Sequence, residues 1–159
     1  MTCSDPFAML DAHFRSMPPV AAMAIRVKGF DADVLQLSAP LSANVNDKGC
    51  AFGGSLASVM TLAAWGWLML RLDTVGLVAE VYVADSQIRY LAPLYDEMLS
   101  EARLAPDQDW SSTLRTLRDR GRARIAMQSK VFDATGRTVA SLSARFALIL
   151  APTVADAMA

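Results

Sequence analysis

Residues 46–70 read Asn46-Asp47-Lys48-Gly49-Cys50-Ala51-Phe52-Gly53-Gly54, followed by SLASVMTLAAWGWLML. A polar, Gly-containing loop runs into a segment in which no side chain from Ala51 to Leu70 carries a charge. About 20 such residues suffice to cross a bilayer, so a membrane span is one reading. Against it stand Gly53, Gly54, Ser55, Ser58, Thr61 and Gly66, which suit a lipid-facing helix poorly. The flanking segments also alternate apolar and polar residues, like strands of a sheet. A helix that is apolar all round is otherwise the buried helix of a compact domain, and that is the reading adopted: one central helix wrapped by sheet. The first turn of such a helix offers unpaired N–H groups and the positive end of the helix dipole. It is a ready place to hold a carbonyl oxygen or an anion.

Composition narrows the classes. The 159 residues are 53% hydrophobic, enough for one domain with a real core and too apolar for disorder. No linker or repeat divides the chain, so residues 1–159 read as one domain with its core at about 20–150. A net charge of −1 exerts no general pull toward nucleic acid or an anionic membrane. Cys3 and Cys50 are too few and too isolated for a disulfide framework or a zinc site. The start, MTCSDPFAML, lacks the basic-then-apolar pattern of a secretory signal, so a cytoplasmic location is expected. The single histidine, His13, rules out a two-histidine metal site and disfavours a His-based triad. It falls off the apolar stripe of its helix and reads as a surface residue. No cofactor is called for.

Working outward from the central helix, Asp5-Pro6 opens a short helix, with Ser4 or Asp5 as cap. Phe7, Leu10 and Phe14 give it a buried face, and Pro18-Pro19 ends it. Met23–Lys28 alternates as a strand, Gly29–Asp33 is a turn, and Val34–Leu37 is a second strand of a hairpin. Gly76 marks the exit of the central helix. Residues 78–91 form a long strand whose alternation changes phase: Val81 and Val83 are apolar on one face, Ile88 and Tyr90 on the other. The switch falls at Ala84-Asp85-Ser86-Gln87 and implies a bulge or a change of covered face. Glu97–Leu104 is a further strand. Asp109-Trp110-Ser111-Ser112 starts a helix that Gly121 stops. Arg122–Phe132 and Thr138–Leu150 are the last strands. One long helix against an antiparallel sheet is an α+β layout, the hot-dog arrangement.

Four blocks then carry a resemblance. Asn46, Gly49 and Gly53-Gly54 ahead of a buried helix resemble the Asn…Gly…His-Gly-Gly loop of small hot-dog thioesterases such as the phenylacetyl-CoA thioesterase group. Closer still, the loop block of Asn46, Lys48-Gly49 and Ala51–Leu56, then Gly66-Trp67, Ser86–Pro93 and Gly121–Ile125 resemble the thioesterase-like domain of the YiiD C-terminal type. The resemblance covers about residues 20–150. It implies an acyl-CoA or acyl-carrier-protein thioester as substrate. It also implies pairing of chains into a continuous sheet, as dimers or tetramers, with sites between subunits. Ser86 of one chain then approaches the Gly53 loop of the other.

Thioester hydrolysis puts negative charge on the carbonyl oxygen, so fixed donors are needed there. The backbone N–H groups of Gly53 and Gly54 suit the task, with no Cβ to obstruct approach; equally, the glycines serve only tight packing. Asn46 has an amide that can polarise the carbonyl, hold the attacking water or brace its own loop. Ser86 can bind that water or the substrate. Asp85 is a base if it points into the site, and otherwise a solvated strand residue. Cys50 has no nearby histidine or cationic cluster to lower its pKa and reads as a packed small residue. Phe52, Arg122, Arg124 and Lys130 are the substrate-binding candidates. The three cations can pair with phosphates or form an ordinary charged strand face, and Arg137 follows them in the next turn. Two departures matter. Phe52 stands where the related loops carry histidine, and Thr61 stands where they carry an acidic residue on the helix. Either Asp85 replaces that carboxylate, or Thr61 and Ser86 hold water without a strong base, or the protein binds acyl thioesters without turning them over. A hydratase or dehydratase on the same fold is disfavoured, since its His–acid pair has only His13 to draw on.

Overall fold

The computed structural model describes residues 5–152; Cys3 and the alternative cap Ser4 lie outside them. Helix α1 (Pro6–Ser16) is capped by Asp5, whose carboxylate accepts the Phe7 N–H at 3.0 Å, and it buries Leu10 and Phe14. The prolines after it do more than end it. Pro18 opens a second short helix, α2 (Pro18–Ala22), because proline's fixed φ also suits a helical first turn.

The chain leaves α2 through Ala24, at φ 54°. This delays strand β1 to Arg26–Asp31, against the expected start at Met23. Gly29 lies within β1, at a register irregularity between Val27 and Gly29, and not in the turn. The turn to β2 (Val34–Ala39) is the residue pair Ala32-Asp33, both at positive φ (47° and 60°). That is the I′ geometry whose twist matches a hairpin. The central helix ties the hairpin down: Trp67 Nε1 donates to the Asp33 carbonyl at 2.9 Å, and Arg71 pairs with the Asp33 carboxylate at 3.1 Å.

That helix, α3, runs Gly53–Thr74. The remaining elements are β3 (Ala79–Tyr90), β4 (Met98–Leu104), α4 (Trp110–Arg120), β5 (Arg122–Phe132) and β6 (Thr138–Leu150). Asp109 caps α4 by accepting the Ser112 N–H, and Gly121 ends it at φ 69°. The six strands form one antiparallel sheet in the order β1-β2-β4-β5-β6-β3. Its inner face curls around α3, which buries Leu56, Val59, Met60, Ala63, Ala64, Trp67, Leu68 and Leu72. Opposite them stand Leu35, Leu37, Met98, Ile125, Met127, Phe146 and Leu148, all essentially inaccessible. Burying each large apolar side chain contributes about 1.5–3 kcal/mol, so sequestering this helix is a large part of what stabilises the fold. Gly66 lets α3 approach closely, since a Cβ there would lie 2.9 Å from Leu35 and 3.2 Å from Leu10. Among the described residues α3 is the one helix long and apolar enough to cross a membrane, and it is the core helix of the sheet.

The phase switch in β3 is a bulge. Register against β6 slips between Val83 and Asp85. Before it, Val81 and Val83 pair with the inward Leu148 and Phe146; after it, Ser86, Ile88 and Tyr90 pair with Ala144, Leu142 and Ala140. The extra residue therefore keeps one face turned toward α3 along the whole strand, although the sequence pattern inverts. Strand β3 is also the end of the sheet, and among the described residues nothing pairs with its outer edge.

Candidate active site

The loop before α3 is held from several sides. The Asn46 Oδ1 accepts the N–H groups of Lys48 (2.8 Å) and Cys50 (3.2 Å), and its Nδ2 donates to the Cys50 sulfur at 3.2 Å. Its backbone N–H reaches the Cys50 carbonyl at 2.8 Å. Gly49 supplies the tight return at φ 81°. Ala51 then donates to the Leu94 carbonyl and Phe52 to the Asn44 carbonyl. Buried Asn44 is fixed in turn by donating to the Met23 and Pro40 carbonyls. Asn46 thus spends its amide within the loop, so of its possible roles bracing is the one its contacts match. Cys50 is buried in the same turn.

This loop delivers the chain to α3 with its first N–H groups free. Phe52 occupies the cap position without a side-chain cap bond, and its carbonyl accepts the Leu56 N–H at 3.0 Å. The N–H groups of Gly53, Gly54 and Ser55 find no protein acceptor among the described residues. Two aromatic rings flank the ledge. The Phe52 ring covers the position a Gly54 Cβ would take, within 2.4 Å, and the Tyr90 ring lies 3.6 Å from a Cβ on Gly53. The Tyr90 hydroxyl donates to the Gly53 carbonyl at 3.2 Å. Both rings are more than half exposed.

From the ledge, α3 and β3 run side by side in opposite directions. Tyr90 meets Gly53 at one end, and at the other Trp65 Nε1 donates to the Val81 carbonyl at 3.2 Å. Between these anchors, helical spacing places Gly54, Ser58, Thr61 and Trp65 along one face of α3, while Ser86 and Ile88 lie on the inward face of β3. Ser58 and Thr61 each donate their hydroxyl to the carbonyl four residues back, both at 2.8 Å. Their oxygens remain able to accept. Neither is a strong base.

Asp85 does not join this set. It pairs with Arg145 on the opposite, outward face of the sheet. The Arg145 Nε lies 3.0 and 2.9 Å from the two carboxylate oxygens, and Nη2 also reaches Oδ2. Hydrogen bonding to Arg145 holds the Asp85 carboxyl below the usual carboxylate range, which makes it a weaker proton acceptor. The condition under which Asp85 serves as base, that it point into the site, is unmet, because the bulge turns Ser86 inward and Asp85 outward.

Arg122 and Arg124 stand together on that outward face, beside Arg120 at the end of α4. Lys130 shares their strand and face but lies eight residues from Arg122, roughly 26 Å along the strand. It faces Glu101 of β4 and Ser141 of β6. His13 is exposed, its ring edge-on to Trp65 at 5.0 Å. Sequence reasoning overlooked Tyr90 and Trp65 as parts of the site. The signal for Tyr90 was its position two and four residues beyond Ile88 and Ser86, on one strand face.

A curved antiparallel sheet around one buried helix, with an open ledge of N–H groups at the head of that helix, defines the hot-dog class of thioesterase-like proteins. A family model described as a putative thioesterase (yiiD_Cterm) matches residues 8–149, and the chain belongs to that family. Solved structures agree on the fold. A putative thioesterase from Shewanella oneidensis is 27% identical, with a TM-score of 0.81 over 91% of this chain and 97% of that one. A protein of unknown function from Chlorobaculum tepidum TLS is 23% identical, with a TM-score of 0.83 over 89% and 93%. A Pseudomonas aeruginosa protein described as a probable thioesterase is 19% identical, with a TM-score of 0.77 over 91% and 95%.

Proposed function

We propose that this protein hydrolyses acyl thioesters of coenzyme A or of an acyl-carrier protein, with the Gly53–Gly54 ledge receiving the carbonyl oxygen. The observation that carries the reading is the set of free N–H groups at the head of the core helix. The helix backbone points them outward before charge develops on the oxygen, so they stabilise that charge with little reorganisation. Water adds to the carbonyl carbon, the C–S bond breaks, and the thiol leaves with the proton the water gives up. Thr61 and Ser86 accept hydrogen bonds from that water, leaving a lone pair free for attack. Asn46 acts indirectly, by holding the loop that presents the ledge. Phe52 forms one wall of the entrance.

The free edge of β3 supports a homodimer. Its inward and outward faces are largely exposed along Tyr82–Gln87, and an unpaired strand of this length invites pairing with a second copy. Antiparallel pairing across a two-fold axis sets the Ala79 end of one strand beside the Tyr90 end of the other. Lys130 of one chain and the partner's Arg122 and partner's Arg124 then flank the same end of the assembly, where the phosphates of the carrier are bound.

The second reading, a thioester-binding module without turnover, is favoured by the α3 face itself: Gly54, Ser58, Thr61 and Trp65 supply no carboxylate. A thiol-release assay over a panel of acyl-CoA and acyl-carrier-protein donors, with binding followed by calorimetry, separates the two. Product release supports hydrolysis; saturable binding without product supports the module; neither binding nor product overturns both.

A further inference from the structure

We propose that Tyr90 is a positioning residue that aims the Gly54 N–H, an inference that rests on the hydrolase reading above. The peptide unit joining Gly53 to Gly54 is planar and trans, so its carbonyl oxygen and its N–H point in opposite directions. Whatever fixes the Gly53 oxygen therefore fixes the direction of the Gly54 N–H. The Tyr90 hydroxyl donates to that oxygen at 3.2 Å. Its ring stands against the open side of Gly53, 3.6 Å from where a Cβ would lie.

The hold matters at this peptide more than elsewhere in α3. The first turn has no preceding turn to restrain it, and two successive glycines give the backbone its widest freedom. A carbonyl oxygen has two lone pairs, so the tyrosine bond adds to the helical bond that residue 57 makes to residue 53. It also polarises the peptide, which strengthens the N–H on its far side as a donor. Tyr90 itself is well anchored. It is the last residue of β3, in register with Ala140, and the next residue, Leu91, donates to the Val139 carbonyl at 2.8 Å. Yet Tyr90 is 57% exposed, so packing in the core of its own chain does not account for an aromatic ring here.

The test is Tyr90→Phe, which keeps the ring and deletes the hydroxyl. In glycine-labelled protein, amide NMR shows the Gly54 N–H moved, while Gly121 and Gly136 stay in place. With the best thioester donor, kcat falls about three- to tenfold, the scale of one lost hydrogen bond, while KM and the melting temperature hold. A fall in kcat without a rise in KM marks an interaction made in the transition state. An unmoved Gly54 resonance overturns the proposal, as does an unchanged kcat, or a kcat loss that tracks a lower melting temperature. If the wild-type protein releases no thiol from any donor, the hydrolase reading falls, and the NMR result alone decides whether Tyr90 orients this peptide.

Discussion

Replacing Gly53 by alanine adds one methyl group to the edge of the proposed oxyanion ledge and separates two quantities that usually fall together. The backbone at Gly53 is not among the glycines at positive φ, so alanine meets no conformational penalty. The new Cβ would lie 3.6 Å from Tyr90 Cε1, an ordinary contact. Alanine is favoured over glycine in a helix interior by about 1 kcal/mol, and by less in the first turn. The melting temperature of a domain of this size should therefore stay level or rise by up to about 2–4 °C. Activity should move the other way, because the methyl group takes up space beside the ledge, between Gly53 and the Tyr90 ring. Losing an oxyanion donor outright costs roughly 10²–10³ in kcat. A methyl group that only crowds the approach should cost at least about tenfold. Thermal melting by circular dichroism gives the first quantity, and thiol release from the best donor gives the second. A variant as active as wild type refutes the placement of the carbonyl oxygen at this ledge. A drop in melting temperature beyond about 4 °C refutes the steric reasoning.

Gly66→Ala should do the reverse and destabilise the fold, because its Cβ would lie 2.9 Å from Leu35 Cδ2 and 3.2 Å from Leu10 Cδ2, both buried. Overpacking of this kind costs about 1–3 kcal/mol, read as a lower denaturant midpoint at unchanged slope. The Asp85 carboxyl, held below the usual range by Arg145, contributes stability above its unfolded pKa of about 3.9 and loses it as pH falls through the folded value. Because the pair is exposed, that contribution is small. Carboxyl NMR should show a depressed midpoint, and Asp85→Asn should leave turnover intact. A folded Asp85→Asn variant without turnover would return Asp85 to the site.

Much of the fold was legible because its strongest signals are local. A charge-free run through Leu70 has to be buried, and Gly121 at φ 69° stops α4 by its own conformational freedom. The phase change at Ala84–Gln87 announced the bulge. It could not say which residues turn inward, since alternation gives the period of a strand but not its covered face. Register against β6 supplied that, and it moved Asp85 away from Ser86. The same limit hid the Asp85–Arg145 pair, whose members are 60 residues apart. The start of β1 was missed because Ala24 adopts a left-handed conformation that its identity does not advertise. Gly29 read as turn because glycine marks turns and bulges alike.

For the site, residue identities pointed to the Gly53–Gly54 ledge. Two glycines opening an apolar helix leave its first N–H groups without a Cβ beside them. What surrounds the ledge depended on folding. Tyr90 reaches Gly53 across 37 residues, Trp65 reaches β3, and Asn46 turns back on Cys50. Contacts of that kind follow from how α3 and the edge strand lie against each other. That arrangement is set by the packing of the whole sheet around one helix, a collective property that no local run of residues encodes.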